Sequence, residues 1–479
     1  MSKLFKNALK LMSGSIVAQL ISVLTIPIIT RIFGAEDFGL FSIVLSIATI
    51  LATIYLVGMH LAILIPKSEI EAVAIVRFIL LIGITLSLVS LFIIFIFYDN
   101  ILEIISINLD YVTLISIPLL AFSLMLGTLI SFWGVRVKEY SLTSKSKVIE
   151  SVAERGGSIL LGVCGYTSSW TLILFKGLAV FFATLYFLMF SRTKSNSIQV
   201  AIKEWPFKKV CVKYKNYLLF NTPSSILTTF SLQIPLILIG LCFGPVYAGF
   251  FAMANRLLNI PGQTLGASIS KLVTQDLSEC WLRDKELATQ RTRTIYTAML
   301  QLLLYPFILL AITGDKVTLI FLGAGWLETG GVVQILTVLA LTNLLVQCFG
   351  GIFDITEQQN QRLMYHIINT IIRILSIIIP SYLGYDFEVT IVVFALTGAL
   401  MNFIALGLIL SFVNCSLLTA FKNVRLFLSL IVIAIVSYYL NIYITSPLLF
   451  ISLVSALLII AFCFFSLGNV LSVTRSVRT

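Results

Sequence analysis

Charge is what this sequence has least of. Asp, Glu, Lys and Arg together make up 11% of its 479 residues, while 59% are hydrophobic; a soluble domain carries roughly 25% charged residues. Many apolar runs exceed the ~20 residues that a helix needs to cross a bilayer. A soluble or disordered chain is excluded by that shortage. The ~10-residue alternating segments of an outer-membrane barrel are missing too. Histidine occurs twice, and the seven cysteines are scattered without a C-x-x-C pair. Neither a metal site nor a disulfide framework is indicated. There is no G-x-x-x-x-G-K-[ST] loop, so ATP does not drive the chain directly. G-x-S-x-G and H-E-x-x-H are also absent, and no segment outside the apolar runs is long enough for a glycosyltransferase, polymerase or ligase site. The expectation is a non-enzyme without a bound cofactor. Lys3, Lys6 and Lys10 precede an apolar run too long for the core of a signal peptide, so the first helix reads as an uncleaved anchor.

What is present is an all-α polytopic membrane protein. Fourteen transmembrane helices are expected near 11–33, 38–65, 74–98, 111–134, 148–166, 168–190, 217–243, 246–270, 293–313, 331–353, 363–383, 388–412, 424–442 and 447–467. The net charge of +11 does not point to nucleic acid, because the basic residues sit in alternate short loops. The richest stretch, 191–216, holds seven Lys/Arg and one Glu. Basic loops face the cytoplasm, which places both termini there and membrane lipids among the partners.

The opening motif recurs. Gly34, Gly39 and Phe41 follow an Ile-Pro helix, and Gly244, Gly249 and Phe251 follow another. The expected domains are a six-helix lobe 1–190, a basic cytoplasmic linker 191–216, a second six-helix lobe 217–412, and two further helices with a tail over 413–479. Two repeats of even helix number share one orientation. They predict a pseudo-two-fold axis along the membrane normal and a central cavity between the lobes.

Polar residues recur at helical spacing inside these helices. The stripes are Ser42, Ser46, Thr49, Thr53 and His60; Thr222, Ser225, Thr229 and Gln233; Arg256, Asn259 and Gln263; Asn343 and Gln347; and Asn369 with Arg373. Small polar residues also glue membrane helices together, and for the Thr222–Gln233 stripe and that of Ser15, Gln19 and Ser22 in the first helix this reading stands level with a functional one. Arginine is different. Arg256 lies ~15 Å deep at 1.5 Å per residue, and Arg373 is similarly placed. Isolated at that depth, an Arg costs at least ~2.5–3.5 kcal/mol. Each faces water, an anion, or an acid such as Glu150, Glu154 or Asp354. Counting Arg31, Arg155 and Lys176 with them, base outnumbers acid, which predicts a cationic cavity suited to phosphate oxygens. Arg31 and Lys176 have a competing reading as snorkelling side chains. Glu150 and Glu154 are candidates for a coupling H+ or Na+ or, equally, for a salt-bridge network with Lys147 and Arg155. Asp354 and His60 are the other coupling candidates. A satisfied buried histidine competes for His60.

The phrases IPIITRIFGAEDFGLF (26–41), LAILIPKSEIEA (61–72), GFFAMANRLLNIPGQTLGASISKLV (249–273) and FLGAGWLETGGVVQIL (321–336) resemble the polysaccharide-transporter family, the Wzx-type flippases. The resemblance implies the fold of the multidrug/oligosaccharidyl-lipid/polysaccharide exporters. It implies alternating access, with an undecaprenyl-pyrophosphate-linked oligosaccharide carried across the bacterial cytoplasmic membrane. A monomer working beside a polysaccharide polymerase and chain-length machinery is also implied. Relatives carry an aromatic–acid pair where this chain has Met59 and His60, which counts against acid-based coupling there. Arg31 and Arg256 fall inside matched phrases; Arg155, Lys176 and Arg373 rest on depth alone. The alternatives are an ion-coupled multidrug exporter of the same fold and a lipid II flippase.

Overall fold

The computed structural model describes residues 3–100, 110–191, 207–261, 267–416 and 446–465, with isolated positions between 433 and 444. The expected helix at 424–442 and most of the 191–216 linker therefore lie outside the described residues, as does Gln263. Among the described residues there is no strand, and ten helices are long and apolar enough to cross a membrane.

Two compact units emerge, Met1–Gly249 and Phe250–Thr479. The first contains α1 (Lys3–Ile32), α2 (Ala35–Tyr55), α3 (Glu69–Ile96), α4 (Tyr111–Arg136), α5 (Tyr140–Val163), α6 (Ser169–Phe190) and α7 (Thr222–Phe243). It ends within α8 (Pro245–Pro261). The second contains the rest of α8, then α9 (Ala267–Arg283), α10 (Lys285–Leu322), α11 (Leu327–Phe349), α12 (Gln359–Tyr382), α13 (Phe387–Ser411) and α14 (Pro447–Phe465). Within the first unit α1 packs on α5, α5 on α6, and α2 on α4 and α7. Thus α7, expected to open the second lobe, lies along α2 in the first unit. Within the second, α11 sits among α10, α13 and α9, and α12 packs on α13.

Several expected boundaries move, each for a local reason. The second helix was expected to run to residue 65 but stops at Tyr55. Val57 and Gly58 take left-handed φ values of 47° and 58°, and a 3-10 turn covers Met59–Leu64. The break is filled by the start of α7. Asn221 Nδ2 donates to the Gly58 carbonyl at 3.2 Å, and Thr222 Oγ1 to the Val57 carbonyl at 2.7 Å. His60 is thereby removed from the Ser/Thr stripe with which it was grouped. Its ring meets Phe132 edge-on at 4.9 Å instead.

The stretch 271–293, expected as a loop, is helical. Val273, Leu277 and Cys280 of α9 recur at intervals of four and three and are buried, so an amphipathic helix seals itself onto its neighbours. Asp284 then caps α10, its side chain accepting from the Glu286 N–H at 2.8 Å. At its far end α10 continues through Asp315 and Lys316, beyond the helix end expected at 313. Gln334 Nε2 donates to Asp315 at 3.3 Å, and Lys316 Nζ lies 3.6 Å from the centre of the Phe450 ring. Charges with partners do not end a helix; Gly323, at φ 97°, does.

The repeated glycines have unlike causes. Gly244 has φ 94°, a conformation that favours glycine. Gly39 is needed for close approach: a Cβ there would collide with the Pro245 carbonyl and the Gly249 N–H. Reciprocally, a Cβ on Gly249 would strike the Ala35 carbonyl. The first turns of α2 and α8 therefore touch backbone to backbone through the two copies of one motif. Gly34 has an ordinary φ of −71° and open space around it. Gly39→Ala and Gly249→Ala are each expected to cost ~1–3 kcal/mol, the usual penalty for overpacking against atoms that cannot yield. Gly34→Ala meets no atom and should cost less, roughly 0.5–1 kcal/mol for a poorer N-cap residue of α2. Thermal unfolding of the three purified variants in detergent, compared with wild type, checks this.

Candidate functional site

Polar side chains inside the apolar helices gather in three places. The first is the α2–α7 seam. Ser46 Oγ donates to Gln233 Oε1 at 3.0 Å, and Thr53 Oγ1 to Thr229 Oγ1 at 3.2 Å. Two stripes that the sequence showed separately meet each other. Their hydrogen bonds hold two helices together, which is the packing role.

The second place is a charged cluster on α5 and α6. Lys176 Nζ lies 2.9 Å from Glu150 Oε1 and 2.9 Å from Glu154 Oε2, and Arg155 Nη2 lies 3.0 Å from Glu154 Oε1. The spacing of Glu150 and Glu154, one helical turn, puts both carboxylates on the face that α6 covers. Beside the cluster Ser151 Oγ donates to the Ala18 carbonyl of α1 at 2.9 Å. Two bases and two acids balance. Of the four candidates, Lys176 and Arg155 are bound to carboxylates, and Glu150 and Glu154 form the salt-bridge network that was one of their two readings. This cluster adds no positive surplus.

The third place is a layer in the second unit, formed by α11, α12 and α13. Asn402 is its hub. Its Nδ2 donates to Thr342 Oγ1 at 3.0 Å and to Asn343 Oδ1 at 2.9 Å, while its Oδ1 accepts from the Tyr365 hydroxyl at 2.8 Å. Asn369 Nδ2 reaches the Tyr365 hydroxyl at 3.5 Å. Arg373 Nη2 approaches Asn343 Oδ1 at 3.4 Å. Tyr365, Asn369 and Arg373 follow one another at intervals of four along α12, so one face carries all three. Asn369 and Asn402 are buried. The Asn369 Oδ1 is enclosed with no hydrogen-bond partner among the described residues, so an acceptor is left ready for a donor one turn from a guanidinium. Amides and hydroxyls supply both donors and acceptors, so the layer can solvate an anion and sugar-like hydroxyls alike.

The other predicted residues are dispersed. Arg31 is exposed in the last turn of α1, and its Nη1 donates to the Pro27 carbonyl of the same helix at 2.8 Å. Asp354 pairs with Arg362, Nη1 to Oδ2 3.1 Å, both largely exposed. It is thus taken up by a base on its own side of the loop. Arg256 is half-buried on α8 and Asn259 exposed. Tyr365 and Asn402 were missed by the sequence reading. Tyr365 could have been found by extending the Asn369–Arg373 stripe back one turn. Asn402 could have been found as the one amide in the otherwise apolar run of α13.

The charged cluster yields a stability prediction. Removing one partner from a buried ion pair costs ~3–5 kcal/mol, because the other charge stays behind. Lys176→Met should therefore lower the unfolding temperature markedly. Lys176→Met/Glu150→Gln leaves Glu154 balanced by Arg155 and should recover much of the loss. Differential scanning fluorimetry in detergent reads both.

Comparison with known proteins places this geometry. No curated protein sequence is detectably similar to the chain. Among solved structures, the chain resembles the lipid II flippase MurJ in an inward closed conformation, with TM-score 0.71 and 13% identity, over 95% of this chain and 97% of that one. It also resembles an inward-facing multidrug-resistance MATE family transporter of the MOP superfamily, with TM-score 0.57 and 14% identity, over 84% and 93% of the two chains. At such identities the likeness is one of fold: a helical, multi-pass membrane architecture shared with flippases and transporters. The family model for polysaccharide biosynthesis proteins matches residues 28–331, more than half of the sequence, and the chain belongs to that family.

Proposed function

We propose that this protein is a flippase for an undecaprenyl-pyrophosphate-linked oligosaccharide, such as an O-antigen or related surface-polysaccharide repeat unit. It would work in the bacterial cytoplasmic membrane by alternating access. The observation that carries the reading is the Arg373 layer. A guanidinium set among amides and hydroxyls, one turn from the enclosed Asn369 acceptor, matches a ligand with anionic oxygens and many hydroxyls. Family membership in polysaccharide biosynthesis supports the substrate class, and the fold is shared with the lipid II flippase MurJ. Arg373 takes the pyrophosphate or an acidic sugar, with Arg256 as a second cation of the same unit. The α11–α13 amides take sugar hydroxyls. The likeness to MurJ also keeps a lipid II substrate as a second reading, and an ion-coupled drug exporter as a third.

Deleting the gene should make lipid-linked repeat units accumulate on the cytoplasmic face and deplete surface polysaccharide. Unchanged polysaccharide with new drug sensitivity would instead mark a drug exporter, and arrested peptidoglycan synthesis a lipid II flippase. In the complemented strain, Arg373→Ala should cut export roughly ten- to a hundredfold, the value of one hydrogen bond to a charged group. Arg373→Lys should keep part of the activity. Equal export by both variants would remove Arg373 from the reading.

A further inference from the structure

Outside the membrane-spanning helices, one described surface is unusual in chemistry. It is the short helix Phe207–Lys213 with the residues that join it to α7. Its inner face is fixed to the first unit. Phe207 stacks on Phe78 of α3 with ring centres 4.4 Å apart. Val210 and Tyr214 are buried. The Tyr214 hydroxyl donates to Glu71 Oε1 at 2.8 Å, and Lys213 pairs with the same buried carboxylate. Burial and the Glu71 carboxylate both push the Tyr214 hydroxyl up, so it remains a donor. The segment is thus held at its start by an aromatic stack and at its end by a hydroxyl and an ion pair to one carboxylate.

The opposite face is different. Lys208, Val212 and Lys215 follow at intervals of four and three, and all three are exposed. Lys67 and Lys138, at the neighbouring ends of α3 and α4, are exposed as well, and Arg136 Nη2 reaches the Ser68 carbonyl beside Glu71 at 3.4 Å. Glu69 and Glu139 offset part of this charge but not all of it. Bare apolar side chains accompany the lysines: Val212 stands among them and Leu219 and Phe220 follow, at 62%, 63% and 73% exposed. Two residues after Lys215 the chain enters the membrane span Tyr217–Phe243. Lys215 therefore stands within a turn of the hydrocarbon boundary and Lys208 roughly two to three turns before it along the chain, near the level of lipid phosphates.

We infer that this basic face is a binding surface for anionic phospholipid headgroups, with Lys208 and Lys215 meeting the phosphates and Val212, Leu219 and Phe220 meeting the acyl chains. Charge complementarity and the height of the lysines select a lipid over a soluble acidic partner. A nucleic acid would leave the bare apolar side chains uncovered. The Glu71 clamp keeps the inner face docked, so the outer lysines are presented at a fixed level and not on a loose tether. Juxtamembrane basic residues each contribute ~1 kcal/mol toward an anionic surface, about fivefold in affinity.

The test uses the full-length protein in nanodiscs of phosphatidylcholine with and without phosphatidylglycerol, with retained lipid counted by native mass spectrometry. Wild type should retain phosphatidylglycerol selectively, and less of it as salt rises. Lys208→Gln/Lys215→Gln should weaken that retention roughly twenty-five-fold, while Lys208→Arg/Lys215→Arg keeps it. Equal phosphatidylglycerol retention by the glutamine variant, or equal retention of both lipids by wild type, overturns the inference. So does selective capture of an acidic protein or nucleic acid without lipid discrimination. The outcome does not depend on which substrate the protein carries.

Discussion

The hydrocarbon interior of a bilayer offers no water to a polar group, so every donor, acceptor and charge at that depth must be satisfied by the protein or by what it carries. This constraint organises both units, and they meet it in opposite ways. The first unit answers charge with charge. Lys176 sits between Glu150 and Glu154 while Arg155 holds the far oxygen of Glu154. The second unit answers charge with dipoles. Arg373 is met by the Asn343 amide, which is itself anchored by Asn402 and, through it, by Tyr365 and Thr342.

The two solutions differ in what they allow. A closed set of two acids and two bases leaves no net charge to recruit a ligand, and opening it exposes ions in a low-dielectric interior. It fastens α5 to α6. The same unit fastens α2 to α7 with Ser46–Gln233 and Thr53–Thr229, and α2 to the first turn of α8 through Gly39 and Gly249. Polar chemistry in the first unit is therefore spent on cohesion. The amide layer of the second unit is held by uncharged partners around its one guanidinium, with the Asn369 oxygen enclosed beside it.

Much of this could be read from residue order. Long apolar runs locate the spans because length and hydropathy alone decide whether a helix crosses. The stripe on α12 gave Asn369 and Arg373 because helical spacing fixes a common face. What failed to show in the sequence depended on partners far along the chain. The end of α2 at Tyr55 is set by Asn221 and Thr222, some 165 residues later. The continuation of α10 past Asp315 depends on Gln334 and Phe450. The surplus of base over acid was counted along the chain, but charge is cancelled in space. Arg155 and Lys176 are held by Glu154 and Glu150, and Arg31 turns back to its own helix. Asn402 escaped notice because a single amide in an apolar helix has no periodicity to reveal it.

The composition of the Arg373 layer bears on how a carrier could release what it binds. A guanidinium locked to a buried carboxylate would surrender an ion pair each time a substrate phosphate entered, leaving the acid behind uncompensated at a cost of several kcal/mol. Amide and hydroxyl partners avoid that trap. Releasing the Asn343 amide gives up one hydrogen bond from a charged donor, worth about 1.5–3 kcal/mol, and strands no ion. Asn402 has both a donor and an acceptor end engaged, so the layer can keep its own groups satisfied whether or not Asn343 is shared with Arg373. An anion can then be taken up and given back without either state being much deeper than the other. On the proposed flippase reading, such a shallow difference lets the ligand shift the carrier between its conformations.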